Sequence, residues 1–489
     1  MKKYTTNRFS LPTPLSRAVF SPEFLADNEL AGGLSALGVV ALAVKAGMAK
    51  RNGRPVKEIL YALLLWPLLG VTSIHTFCGP ALKRMYAGGK DALYGFLGRE
   101  DLNRRGLHAK SALGFVRKHR MLGPLSALVA DDAIKERSGK KMEGVSGHFD
   151  HLTKRTVRGE QVLTPGLACG QGFVPIDAQI YISSSRPQEL RRRHRDGRSH
   201  AARRFREAVR TKIETLCGML RRATQAGFAA KYFLADSWFA VREVIRTADD
   251  CGLVPVLRMK NGPLKFWVDG EALTAREIYA RFAKPALSPI AGFPRLGARV
   301  PVVLNLAADG EPSDPHLVHL LFVRGLKPED GKKSRVCFPT TEMSLSAEQI
   351  LEVYALRWGI EVYFKEVKQH LGLLKEQTQS FASHIASIHL TALRYILLLH
   401  AALKGGDLSF GEARDRVTGR LQALSFAGLP WQVFRAIILG VLDELKESLG
   451  GSVVNGVAAA IGQAVESFLE RVLQFSDQDL RAENAAIPS

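Results

Sequence analysis

The sequence predicts an α/β fold in which a mixed core is broken by a β-rich insertion and flanked by mostly helical regions. Three observations carry this. Short apolar runs bounded by polar residues, SALVADDA (126–133), KYFLADSWF (231–239) and GLVPVLRMK (252–260), have the length and continuity of buried strands. A basic helical segment, 187–226, separates the first of these from the second. From 261 to 345 Pro/Gly-rich turns divide further strands, and Leu/Ala-rich helical patterning appears on both sides of the core.

Residues 1–120 read as helical, with Leu/Ala-rich stretches at 31–48 and 58–71 and a basic close, RRGLHAKSALGFVRKHR, at 104–120. Residues 121–403 form the expected α/β core region. After SALVADDA it continues through GFVPIDAQIYIS (172–183), the basic helix and the strands around 231–260. The insertion, about 261–345, contains RVPVVLNLA, HLVHLLFVRG and RVCFPTT, with the charged linker KPEDGKKS before the last. Residues 404–489 form a helical C-terminal region suited to oligomerisation.

Charge limits the partners. The 489 residues carry 68 Lys+Arg against 47 Asp+Glu, formally +21, and 24 Phe argue that this is a folded chain, not a disordered basic tail. Residues 186–222 hold 13 Lys/Arg and 4 Asp/Glu, whereas 407–489 hold 7 and 11. A polyanion, nucleic acid first, is the expected partner of the body, and the acidic tail should do something else. Five scattered cysteines with no C-x-x-C pair point to neither a disulfide framework nor a cysteine zinc site. The basic start MKKYTTNRF has no apolar run behind it, so no signal peptide is expected. Residues 59–82 lack Lys, Arg, Asp and Glu, but Pro67, Pro80 and His75 favour a buried helix followed by a turn over a membrane span.

The informative segment is 346–374, SAEQILEVYALRWGIEVYFKEVKQHLGLL. Ser346 and Gln349 can form a capping box. Leu356, Ile360, Tyr363, Val367 and Leu371 make one apolar stripe. At ~100° per residue, Arg357, Glu361 and Lys368 fall within about 60° of Tyr354 on another face. Taken alone, this is a solvated face with an i,i+4 ion pair.

The pattern Y-x2-R-x3-E-x6-K resembles the signature of bacterial DDE transposases of the insertion-sequence-four kind, whose catalytic domain is RNase H-like. The resemblance implies that Glu361 is the third acid of a metal-binding triad and that Tyr354, Arg357 and Lys368 contact DNA ends. Two upstream carboxylates should then stand near strand ends, because two-metal phosphoryl transfer draws acids from separate elements. Asp236 ends the apolar run YFLA. Asp131 and Asp132 follow LVA and point to opposite faces, so one of them can join. The resemblance favours Asp132, although Ala133 stands where the family carries Thr.

Asp132, Asp236 and Glu361 are therefore the expected catalytic and metal ligands, for two Mg²⁺ ions with Mn²⁺ as substitute. Arg191, Arg192 and Arg193 head an arginine cluster, continued by Arg195, Arg198, Arg203, Arg204 and Arg206, that is expected to meet phosphate. Trp238 and Trp358 are expected to pack, base stacking being the alternative. His148-x-x-His151 lacks the helical zinc-site form, and no P-loop spacing is present. The implied activity is a cytoplasmic, nucleoid-associated DNA transposase. It would cut and join double-stranded element ends and target without a membrane, as a homodimer in the synaptic complex, by cut-and-paste with hairpin ends as one route. The alternatives are a nuclease or resolvase that cuts without joining, and an inactive DNA-binding descendant.

Overall fold

The computed structural model describes residues 28–49, 52–79, 86, 88–139, 141–150, 153–183, 197–260, 262–306, 314–325, 335–406, 408–445 and 450–473. The chain divides into two compact units. One comprises residues 1–44, 49–96 and 397–489, the other 45–48 and 97–396.

The first unit begins with helices α1 (Asn28–Ala36), α2 (Val39–Ala43), α3 (Val56–Leu65) and α4 (Ile74–Phe77). Helix α3 is apolar from Ile59 to Leu65 and buried along that whole run, as a stretch without a polar face must be. It runs into a 3-10 turn, Trp66–Leu69, that stops at Gly70 in the left-handed region (φ 73°). Within the described part of the charge-free segment, residues 59–79, a buried helix is thus followed by a turn and then by α4.

Helices α5 (Lys90–Gly98) and α6 (Arg104–Lys118) lead into the second unit. Its sheet runs, in spatial order, β2 (Ser146–Asp150), β3 (Arg155–Cys169), β1 (Ala127–Glu136), β6 (Tyr232–Ala235), β7 (Val254–Leu257), β13 (Arg335–Thr340), β12 (Pro315–Gly325), β11 (Arg295–Asn305), β8 (Lys265–Val268) and β9 (Glu271–Thr274), with β4 (Gly172–Pro175) and β5 (Gln179–Tyr181) also on β3 and β10 (Ser288–Pro289) on β11. At its centre lie β1 (Ala127–Glu136), β6 (Tyr232–Ala235) and β7 (Val254–Leu257), mutually parallel, with β3 (Arg155–Cys169) antiparallel to β1. Ala127–Ala130 and Tyr232–Ala235 are buried throughout, which explains why both read as unbroken apolar runs. Between β1 and β6 come β2 (Ser146–Asp150), β4 (Gly172–Pro175), β5 (Gln179–Tyr181), α7 (His200–Ala208) and α8 (Lys212–Gln225); α9 (Arg242–Asp250) links β6 to β7.

Sequence patterning missed β3 because Gly159, Pro165 and Gly166 look like turn residues. Gly166 is there for space: a Cβ would lie 2.1 Å from the Phe173 ring and 2.7 Å from the Val174 carbonyl oxygen.

The insertion forms β8 (Lys265–Val268), β9 (Glu271–Thr274), helix α10 (Ala275–Ile278), β10 (Ser288–Pro289), β11 (Arg295–Asn305), β12 (Pro315–Gly325) and β13 (Arg335–Thr340). It is a continuation of the central sheet, joined where Thr340 pairs with Val256 and Met259 with Cys337. The linker KPEDGKKS lies outside the described residues.

Helix 346–374 is in fact two. Ser346 and Gln349 do form a capping box at the start of α11 (Ala347–Ala355). A tightened turn at Leu356 and Arg357, with i→i−3 backbone bonds, then leads into α12 (Trp358–Gln369). Ile360, Tyr363, Val367 and Leu371 are buried as the stripe predicts, and α12 packs on β1, β3 and β4. Helix α13 (Phe381–Lys404) is long and apolar enough to cross a membrane, and its apolar window is wholly buried within the protein. Helices α14 (Phe410–Glu444) and α15 (Gly451–Leu473) complete the first unit.

Candidate active site

The parallel register decides where the acids stand. Ala130 of β1 pairs with Ala235 of β6, so the next residues, Asp131 and Asp236, adjoin at the point where β6 ends. The Asp131 carboxylate accepts a hydrogen bond from the Asp132 amide at 2.8 Å and pairs with the Arg357 guanidinium at 2.6 Å. The other arm of Arg357 reaches Glu361 at 2.5 Å. Arg357 therefore bridges an acid of β1 and an acid of α12.

The electrostatics agree with this placement. Burial, reinforced by the like charges of Asp236 and Asp132, pushes the Asp131 carboxyl up to about 6 against the pull of Arg357. Burial disfavours the Arg357 charge, yet Asp131, Tyr354 and Glu361 outweigh it and hold the guanidinium above its usual range. Tyr354, on α11, is pushed up to about 12 by burial. Its ring packs edge-on against Phe338, 4.7 Å between centroids, and its buried hydroxyl has no hydrogen-bond partner among the described residues. Lys368 is held below its usual range by burial first and Lys135 second, while Asp150, Asp132 and Asp131 oppose that shift.

Asp132 faces the other way. Its oxygens accept from Gln161 Nε2 at 2.7 Å and from Lys212 Nζ at 2.9 Å. The sequence reading took Asp132 as the partner of Asp236 and Glu361; strand alternation, locked by the Ala130–Ala235 register, turns its neighbour toward Arg357 and Glu361 instead. Asp236 closes a turn by accepting from the Trp238 amide at 3.0 Å. The Lys212 ammonium lies over the Trp238 ring, 4.4 Å from its centroid. Sequence reasoning missed Lys212 and Gln161. The only signal for Lys212 was its place just after Thr211, which caps α8 in a box with Glu214.

Other expectations divide. Arg191, Arg192, Arg193 and Arg195 lie outside the described residues, as does His151. Arg203 and Arg206 are exposed. Arg204 is not a surface residue: it is buried, donates to Gln179 Oε1 at 2.6 Å and approaches Asp177 at 4.0 Å. Asp177 also receives Arg105 at 2.9 Å and Arg222 at 3.0 Å. This part of the arginine cluster is internal structure, because a buried carboxylate distant in sequence recruits it. His148 is buried against Ser146, and burial pushes its imidazole down to about 4. Trp238 and Trp358 are 49% and 66% exposed, so neither is the packed residue its type suggested.

Carboxylates are suitable hard donors for a divalent cation. Among the described residues, however, no three His, Cys, Asp or Glu side chains stand close enough to hold one ion. Asp131 and Asp236 adjoin, but Glu361 is reached through Arg357, whose charge bridges the two carboxylates. The triad as described does not form a coordination sphere.

Two family models match the chain: DDE superfamily endonuclease over residues 60–286, and Transposase DDE domain over residues 194–397. These matches support a DDE transposase. They indicate a nuclease-type enzyme with DNA as its substrate, from families that generally use divalent metal ions. The second match spans β6, the insertion, α11 and α12, and so includes Asp236, Arg357 and Glu361. The α/β architecture, one large mixed sheet with helices, is consistent with a DDE nuclease-type fold. No curated protein matches the chain.

Proposed function

We propose that this protein is a DNA transposase of the insertion-sequence-four kind, with an RNase H-like core, in which Asp131, Asp236 and Glu361 are the three acids of the reaction. The observation that carries this is the convergence of β1, the end of β6 and α12: two acids adjoin across parallel strands, and the third shares an arginine with the first. Ligands of open α/β sheets commonly sit beyond the carboxyl ends of parallel strands, where β6 delivers Asp236.

Tyr354, Arg357 and Lys368 surround the acids with groups that suit a phosphate backbone: a hydroxyl without a partner among the described residues, a guanidinium and an ammonium. The exposed Trp358 ring, at the first turn of α12, suits an unstacked base. The +21 net charge supplies the long-range attraction for DNA. Mg²⁺ is the expected cofactor, but the described arrangement of the acids supports no individual metal-dependent step. Cut-and-paste joining by a synapsed homodimer in the cytoplasm completes the proposal.

The test is cleavage of end-containing DNA with Mg²⁺ by the purified chain. Asp131→Asn, Asp236→Asn and Glu361→Gln should each lose nicking by at least about 100-fold while end binding stays within a few-fold. Normal nicking by Asp131→Asn, with complete loss in Asp132→Asn, would return the first position to Asp132. Joined products would separate a transposase from a nuclease that only cuts.

A further inference from the structure

We propose that Lys212 is a positioning residue that ties the Asp236 turn to β1; the proposal rests on the reading of Asp236 as one of the reacting acids. Asp236 stands just beyond the last residue of a four-residue strand, and a backbone at a strand end is free to fray unless something holds it. Its turn is closed locally by the Trp238 amide on its carboxylate and the Phe239 amide on its carbonyl oxygen, 3.0 and 3.1 Å. Both bonds shape the turn without attaching it to anything else.

Lys212 adds a charged attachment to the one that the buried Phe239 side chain already gives the turn. Its ammonium pairs with Asp132 at 2.9 Å and lies 4.4 Å from the centroid of the Trp238 ring, so one side chain spans β1 and the turn after β6. Both ends of the bridge are themselves fixed. Gln161 of β3 holds the second Asp132 oxygen, and Lys212 sits at the first turn of α8, whose capping box sets its backbone. The Lys212 and Asp132 side chains are 15% and 17% exposed, which strengthens a charge pair relative to one in water.

The arrangement also accounts for the tandem aspartates. Alternation puts Asp131 on the face with Arg357 and Asp132 on the other face, where it anchors the cation that holds the second acid's turn. Neighbouring residues on one strand thus serve the same cluster from opposite sides of the sheet.

Removal of partners that orient a reacting carboxylate typically costs about 10–100-fold in activity. Lys212→Met should therefore lower kcat for DNA nicking by roughly 10–100-fold and leave KM for the DNA within about three-fold. Lys212→Arg should restore most of the loss, since a guanidinium both pairs with carboxylate and stacks on an aromatic face. Two further measurements do not depend on turnover. Hydrogen exchange of the 236–240 peptide should speed up in Lys212→Met, and the Trp238 emission, taken as the difference from Trp238→Phe, should change.

Unchanged exchange in 236–240 would overturn the proposal whatever the activity. A rise in KM with kcat intact would make Lys212 a DNA contact instead. If the wild-type chain nicks no DNA but exchange in 236–240 does respond, the transposase reading fails and the structural tie stands.

Discussion

Replacing Arg357 by Gln removes a cation that Asp131 and Glu361 share. The guanidinium is 15% exposed, Asp131 18% and Glu361 40%. Removing one partner of a buried ion pair costs about 3–5 kcal/mol. The Glu361 arm is exposed enough for solvent to screen it, so it contributes no more than ~0.5 kcal/mol as an i,i+4 pair. With water partly reaching Asp131 as well, the expected penalty at pH 8 is roughly 2–3 kcal/mol. That corresponds to a fall of about 3–5 °C in the melting temperature of a body of roughly 300 residues.

The penalty should depend on pH in a definite direction. Asp131 already has a raised pKa, about 6, with Arg357 present, and losing Arg357 moves it further up. A carboxyl with a raised folded pKa favours the folded state below its unfolded value, and that contribution is lost as pH rises through the folded pKa. Near pH 5 the folded variant binds a proton at Asp131 and the missing cation matters less. Melting of wild type and Arg357→Gln by circular dichroism at pH 5 and pH 8 should show the gap shrinking at the lower pH. Equal gaps at both values, or a shift under 1 °C at pH 8, would refute the view of Arg357 as a charge bridge.

Asp177→Asn should destabilise the fold by about 3–5 kcal/mol, because Arg105, Arg222 and Arg204 lose their shared buried carboxylate. The three guanidiniums outweigh burial and hold Asp177 well below the usual carboxylate range. Its contribution is therefore complete above the unfolded carboxyl pKa and lost as pH falls through the folded one; acid-unfolding curves of wild type and variant should converge at low pH. Arg204→Ala should lower the melting temperature by several degrees while Arg203→Ala leaves it unchanged, a contrast that a pure surface cluster would not produce. Ser346→Ala should cost about 1 kcal/mol through loss of the α11 cap, measurable as a lower urea midpoint.

Much of this architecture is legible in local sequence. The unbroken apolar runs of β1 and β6 announce buried parallel strands, and the acids that end them stand out because nothing in a core requires them. The buried stripe of α12 was readable from spacing alone, but the break at Leu356–Arg357 was not, since both residues keep right-handed helical backbone and only the hydrogen bonding tightens. Alternation states that Asp131 and Asp132 diverge; which one faces α12 depends on strand pairing, which no local pattern encodes. Arg204 was misread for a similar reason: its counter-charge, Asp177, lies 27 positions earlier in the sequence, in the loop between β4 and β5. Strand β3 went unseen because Pro165 and Gly166 lie within its ladder, opposite Ala130 and Val129, and not in a turn.

The long sequence separation within the cluster has a consequence for synthesis. Arg357 follows Asp131 by 226 positions, and the entire insertion is made between Asp236 and the helix that brings Glu361. Proteins emerge from the ribosome N-terminus first. During that interval the growing chain carries its basic segments and two adjoining acids, with neither the bridging cation nor the third carboxylate. A product that stops within the insertion is left in that same state: it keeps the basic segment 186–222 and lacks Arg357 and Glu361. On the function proposed above, premature termination would yield a competitor for DNA from the same gene.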